Sequence, residues 1–270
     1  MNGNNKPIGI FDSGVGGLSV WKEIAKQLPN EDIIYFADSR NCPYGHKSQD
    51  EIITLSTRIV EFLLNHDAKL IVVACNTATA AAIKTLRENF PDIPFVGLEP
   101  AIKPAALLSK TGKIAVLATE GTFNGAHFKK NYEFYGQSTD IHIQIGHGLV
   151  ELVEKNEINS DKARILTRAY LQPMIKKGVD QLVLGCTHYP FLCDVFKEVA
   201  DSHKINIINP APAIANRVEE LLSLNKMHAS QREAKYTFYT SGSTIQLKNI
   251  LRLVDFQIRK NYDISKMELL

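Results

Sequence analysis

Two short stretches of the chain place a thiol where chemistry is expected. VVACNTATA (72–80) is an apolar run that ends in Cys75 and continues at once with Asn76 and Thr77. LVLGCTHYP (182–190) repeats the pattern with Cys186, Thr187 and His188. Buried cysteines usually act as small apolar filler, but two in matching contexts, each followed by residues too polar for a core, ask for a function. In an open α/β sheet, ligands bind beyond the carboxyl ends of the strands, so each cysteine lies where a half-site is expected. Each also falls at or near the start of a following helix, in ATAAAIKTL or FLCDVFKEVA. Unpaired N–H groups and the positive dipole end there favour thiolate over thiol and could hold a substrate carboxylate. Cys42 and Cys193 have no such context and read as packing or surface residues.

A third cluster, FDSGVGG (11–17), brings Asp12 and Ser13 off the first apolar run with three glycines that let backbone approach a ligand. A nucleotide loop is not indicated, because Ser19 stands where the last glycine of GxGxxG would be and no GK[ST] follows. Asp12 therefore serves a small polar substrate or caps the following helix. ADSRNCPYGHKS (37–48) is a polar loop with a Pro-Tyr-Gly turn, either plain surface or part of a site. No CxxC, HxxxH or HExxH spacing appears, so no metal centre is predicted. Hydrolysis by Cys186 with His188 as base stays open, but it leaves the second cysteine without a task. Two thiols on opposite faces of one carbon solve another problem. Inverting a stereocentre needs a base to remove a proton and an acid to return one from the other side, and a thiolate and a thiol are such a pair.

The elements that must present these residues alternate. Strand-like runs at 7–11, 32–37, 70–74, 94–98, 113–118, 140–145, 181–185 and 204–209 are separated by helical patterns such as SVWKEIAKQL, SQDEIITLSTRIVEFLLNH and DKARILTRAYLQPMIKKG. This is the signature of βαβ units, hence an α/β fold with mainly parallel sheets. Pro-containing turns at 97–105 and 209–213 divide the chain into a first domain of 1–98 together with 210–270 and a second of 99–209. Each has length enough to bury its own core. The 31 basic and 29 acidic residues nearly balance, which excludes a nucleic-acid or anionic-membrane surface and leaves a small molecule or a second copy as partner. No apolar run approaches the roughly 20 residues of a membrane span. The polar start MNGNNKPIGI has no signal-peptide pattern, so a cytoplasmic location with free thiols is expected.

The motifs Asp12-Ser13-Gly14, Gly16-Gly17, Pro43-Tyr44-Gly45, Ala74-Cys75-Asn76-Thr77-Ala78-Thr79, Glu99-Pro100-Ala101-Ile102-Lys103-Pro104 and Gly185-Cys186-Thr187-His188-Tyr189-Pro190 resemble, in order and over nearly the full chain, the glutamate racemases of the aspartate/glutamate racemase superfamily. The resemblance implies two pseudo-symmetric α/β domains with the site in the cleft between them, and a homodimer. It implies cofactor-independent interconversion of L- and D-glutamate, supplying D-glutamate for peptidoglycan. A related two-cysteine racemase or isomerase acting on another acid, such as aspartate, is the alternative. By the same resemblance Cys75 and Cys186 are the proton donors and acceptors, assisted by Asp12 and His188. Ser13, Tyr44, Gly45, Asn76, Thr77, Thr187 and His188, with Asp12, bind substrate. The stretch GHGLVELVE departs from the family pattern, and Glu154 at its end keeps an acidic position without an assigned role.

Overall fold

The structure, a computed structural model, describes residues 3–254 and 262–269. The chain runs β1 (Ile8–Asp12), α1 (Leu18–Gln27), β2 (Ile33–Ala37), α2 (Gln49–Asn65), β3 (Leu70–Val73), α3 (Asn76–Asn89) and β4 (Phe95–Gly97). It continues through α4 (Ile102–Leu108), β5 (Lys113–Ala118), α5 (Glu120–Phe123), α6 (Ala126–Tyr135), β6 (Asp140–Ile145), α7 (Leu149–Glu154), α8 (Asp161–Lys177), β7 (Gln181–Gly185), α9 (Cys193–Ala200) and β8 (Asn206–Ile208). The last elements are α10 (Ala211–Leu224), β9 (Tyr236–Thr240), α11 (Thr244–Val254) and β10 (Tyr262–Lys266), and short 3-10 turns stand at Tyr44–His46 and Tyr189–Leu192. Among the described residues no helix is long and apolar enough to cross a membrane.

Every strand expected from an apolar run is present, and the pairing is parallel throughout. The first sheet has the order β10-β9-β2-β1-β3-β4 and the second β6-β5-β7-β8. Strands β1, β2, β3 and β7 are buried along their whole length, which is why they read as unbroken apolar runs rather than alternating ones. The core of the first sheet and the whole of the second share one order, with β5, β6, β7 and β8 taking the places of β1, β2, β3 and β4. Cys75 follows β3 and Cys186 follows β7, so the two thiols occupy equivalent positions at the carboxyl ends of equivalent strands. Those ends lie beside the point where the strand order reverses, where sheets of this type open a crevice.

Strands β9 and β10 went unread in the sequence. Residues 236–240 alternate buried and half-buried, and β10 at the sheet edge is mostly exposed. Neither carries a continuous apolar run. Tyr236 and Phe238 of β9 pack edge-on against Trp21 of α1, at ring-centroid distances of 5.5 and 5.1 Å. Local signals fix several helix ends. Ser48 and Glu51 form a reciprocal capping box at the start of α2. Ser160 caps α8, which ends at Gly178 with φ +78°.

One apolar cluster runs from the first sheet (Ile8, Ile10, Tyr35, Val72) through α1 and α10 to α7 and the second sheet (Ala115, Leu117, Leu182, Leu184). The outer faces have separate clusters, around Phe11, Phe36, Val60 and Val73 for the first sheet and around Ile114, Val116, Phe128 and Val183 for the second. The two sheets are therefore joined through a shared interior, and this continuity holds the facing strand ends in register.

Candidate active site

Asp12 ends β1 and is fully buried. Its Oδ2 accepts the backbone N–H groups of Gly14 (3.2 Å) and Gly17 (2.9 Å), and its Oδ1 accepts the Thr187 hydroxyl at 3.3 Å from the other sheet. The carboxyl thus folds the β1–α1 turn and reaches across to the second half at once. The turn itself has to be thin. A methyl group on Gly16 would lie 2.3 Å from His188 Nδ1, and one on Gly14 would lie 2.0 Å from Glu154 Oε1. Glycine at both positions leaves room for side chains of the second half to rest directly on this backbone.

Cys75 is the N-cap of α3, where its sulfur accepts the Ala78 N–H at 3.4 Å and its thiol donates to Ser13 Oγ at 3.6 Å. Asn76 opens the helix. Its Nδ2 donates to Leu98 O at 3.4 Å, while its buried Oδ1 has no partner among the described residues. Thr77 Oγ1 lies 2.8 Å from Thr119 Oγ1 at the end of β5, which in turn lies 2.9 Å from Thr122 Oγ1. The Pro-Tyr-Gly turn comes to the same place, since a methyl on Gly45 would stand 3.3 Å from Thr119 Cβ. The Tyr44 hydroxyl donates to Asp38 Oδ2 at 2.6 Å, so this turn is anchored through its side chain and offers backbone to the cleft.

Cys186 sits just past β7, with its sulfur 3.7 Å from His188 Nδ1. A 3-10 turn stands between it and α9, so the expected helix start belongs to Cys75 alone. His188 Nε2 meets Glu154 Oε1 at 2.7 Å. That oxygen also accepts the Val15 N–H at 2.8 Å, and Glu154 Oε2 accepts Gln246 Nε2 at 2.6 Å. Ser19 Oγ donates to Thr187 O at 3.0 Å, a further tie between halves. The candidate residues Asp12, Ser13, Tyr44, Gly45, Asn76, Thr77, Cys75, Cys186, Thr187 and His188 all line or support this one crevice. Glu154, Gln246, Thr119, Asp38 and Cys42 join them. Glu154 carried a signal in the sequence, as the acidic end of GHGLVELVE, and Asp38 and Cys42 lie in the polar loop 37–48; Thr119 and Gln246 carried none.

Burial dominates the proton affinities. It raises Asp12 from 3.8 to about 6, against the lowering effects of His188 and of the Gly17 and Gly14 N–H groups. It also pushes the Cys75 thiol well up, with the Asp12 charge adding to the rise and the Ala78 N–H and Ser13 opposing it. The helix start was expected to favour thiolate, and here desolvation overrides it: Cys75 rests as the thiol. For His188, burial works toward a lower value, but hydrogen bonding to Cys186, Cys42 and Glu154 outweighs it and the net shift is well above 6.5. Burial thus favours the thiol at Cys75, while the hydrogen bonds around His188 favour its protonated form.

Comparison with known proteins follows the same lines. The sequence model of the family described as Asp/Glu/Hydantoin racemase matches residues 8–218. A glutamate racemase from Herpetosiphon aurantiacus is 42% identical over 254 residues, covering 94% of this chain and 99% of the relative. The crystal structure of glutamate racemase isoform RacE1 from Bacillus anthracis superposes with a TM-score of 0.87 at 32% identity, covering 98% of each chain. Escherichia coli glutamate racemase, solved in complex with L-glutamate and the activator UDP-MurNAc-ala, gives 0.84 at 32% identity over 98% of this chain and 99% of that one. By the family model that matches residues 8–218 and by relatives about 40% identical along most of its length, the chain belongs to the Asp/Glu/hydantoin racemase family.

Proposed function

We propose that this protein interconverts L- and D-glutamate by a two-base mechanism that needs no cofactor. The observation that carries the reading is the pair of buried thiols, Cys75 and Cys186, at equivalent strand ends of two sheets that face one another. The substrate carboxylates are held by Asn76 and Thr77 at the start of α3, by Thr187, and by Ser13 and the backbone of Tyr44–Gly45. The free site, with its proton on Cys75 and a cationic His188 beside Cys186, is set to begin with L-glutamate. Cys186 removes the α-proton from one face, and the Cys75 thiol delivers a proton to the other. Exchange with water then restores the starting protonation, returning a proton to Cys75 and taking one from Cys186; ionised Asp12 is placed to accept the Cys75 proton when D-glutamate is the substrate, and His188 stands beside Cys186. Starting from D-glutamate, the roles exchange.

The halves 1–98 with 210–270 and 99–209 are the two domains in this reading, and the product D-glutamate serves peptidoglycan synthesis by a cytoplasmic homodimer. Purified protein without added cofactor should form D-glutamate from L-glutamate in a chiral assay and incorporate solvent deuterium at the α-carbon. Release of a fragment without deuterium exchange would instead indicate a hydrolase, and activity on aspartate alone would move the substrate. With an analogue carrying a β-leaving group, elimination needs a base but no acid on the far face. Cys75→Ser should then be impaired mainly on the D-configured analogue and Cys186→Ser mainly on the L-configured one, while Cys193→Ser keeps both. Equal impairment of both enantiomers by both variants would put the thiols on one face and end the two-base reading.

A further inference from the structure

Cys42 carries no step in the reaction above, yet its side chain closes the back of the site. Its thiol donates to Glu154 Oε1 at 3.6 Å and also reaches the His188 ring. His188 Nε2 meets that same carboxylate oxygen at 2.7 Å. One ligand atom each from Cys42, Glu154 and His188 can be chosen so that all lie within 4.8 Å of one another. Thiolate sulfur, imidazole nitrogen and carboxylate oxygen together form a donor set suited to zinc and similar thiophilic divalent ions. Bonds of about 2.0–2.1 Å to nitrogen and oxygen and about 2.3 Å to sulfur put tetrahedral ligand atoms roughly 3.3–3.7 Å apart. The sulfur–oxygen separation of 3.6 Å already meets this spacing. The nitrogen–oxygen pair would need to open by about half an ångström.

The surroundings favour such a site. The carboxylate is fixed by Gln246 at Oε2 and by the Val15 N–H at Oε1, the kind of outer support that orients a ligand before the ion arrives. One thiolate and one carboxylate balance a divalent charge, so the loaded cluster is neutral in its partly buried position. We propose that Cys42, Glu154 and His188 form a binding site for a thiophilic divalent cation, and that filling it stops racemisation by removing His188 from proton transfer. Binding displaces two protons, one from the Cys42 sulfur and one from His188 Nε2. The imidazole is left with its proton on Nδ1, facing Cys186, and its other nitrogen bound to the ion. The ion sits on the side of His188 away from Cys186, so glutamate in the crevice does not compete with it directly.

Cobalt(II) chloride is the spectroscopic probe, added to a protein in which Cys75, Cys186 and Cys193 are each changed to Ser so that Cys42 is the sole thiol. Binding should produce a thiolate-to-cobalt charge-transfer band in the near ultraviolet and the visible bands of tetrahedral cobalt at one ion per chain. Adding Cys42→Ser should abolish the charge-transfer band, and adding Glu154→Gln should weaken binding roughly tenfold or more. This arm needs no turnover, so its failure is distinct from failure of the racemase reading. Zinc chloride tests the consequence in the otherwise unaltered enzyme. Measured against its own zinc-free rate, Cys42→Ala should need about tenfold more zinc for half inhibition, and saturating glutamate should not relieve inhibition of the parent enzyme. Absence of the charge-transfer band, or equal zinc sensitivity of the parent and Cys42→Ala, would overturn the proposal.

Discussion

Asp12 faces two demands that pull in opposite directions. As a proton acceptor it has to be ionised at working pH, yet its full burial raises its pKa from 3.8 to about 6. Because kcat/KM reports groups of the free enzyme, it should fall as pH drops through about 6, where Asp12 takes up a proton. Asp12→Asn should lower kcat/KM at neutral pH and remove this acidic limb, as a pH–rate profile of the two proteins would reveal. Folding stability moves the other way. A group whose folded pKa is raised stabilises the fold fully below its unfolded value, and that contribution is lost as pH climbs through the folded one. Between 3.8 and about 6 the ligand-free protein should therefore lose up to about 3 kcal/mol from this residue as pH rises, and Asp12→Asn should flatten that loss in urea titrations. An activity limb that persists unchanged in Asp12→Asn would assign it to another group.

At the scale of elements, the β1–α1 turn decides how closely the halves meet. Gly16→Ala places a methyl 2.3 Å from His188 Nδ1, and the ring has to shift. Displacing a proton-transfer group by a fraction of an ångström to an ångström costs up to about a hundredfold in turnover. kcat should drop on that order while the urea midpoint changes little, since the backbone at Gly16 has no left-handed requirement. Gly112 is the contrasting case. It has φ +69° and open space around it, so Gly112→Ala should cost about 1–2 kcal/mol of stability from backbone strain and leave kinetics intact. Exchanged outcomes for the two variants would mean that the turn, and not the contact with His188, governs activity.

At the scale of the whole molecule, the continuous apolar cluster makes a prediction about cooperativity. Trp21 is the sole tryptophan, lies in α1 against the first sheet, and is fully buried. Leu184 of β7 lies in the second sheet and belongs to the same cluster. Leu184→Ala should cost about 2–5 kcal/mol, and the Trp21 fluorescence transition in urea should shift together with the far-ultraviolet dichroism. A Trp21 transition left in place while dichroism loses an early phase would mean that the halves unfold separately. The shared interior also has a functional meaning, because the crevice is assembled from both sheets and its hydrogen bonds, such as Ser19 to Thr187, do not exist in either half alone.

The sequence by itself determined the inner strands and the position of both thiols. Strands β1, β3 and β7 are buried throughout, so their runs of Ile, Val and Leu announce themselves, and the polar residues that follow Cys75 and Cys186 mark where each run stops. Strands β9 and β10 were illegible because one is only half-buried in alternation and the other lies at an edge, so neither leaves an apolar imprint. Tertiary structure alone decided what stands behind His188. Cys42 and Glu154 are 112 positions apart and Glu154 and Gln246 are 92 apart, and no local spacing encodes such meetings. It also decided the proton on Cys75. The start of α3 is a local feature that argues for thiolate, whereas the desolvation that wins depends on the packing of residues distant in sequence, such as Phe11, Tyr44 and Ile52, around the sulfur. Periodicity and capping act over a few residues and are written in order along the chain; dielectric surroundings and long-range contacts exist only once the whole chain has folded.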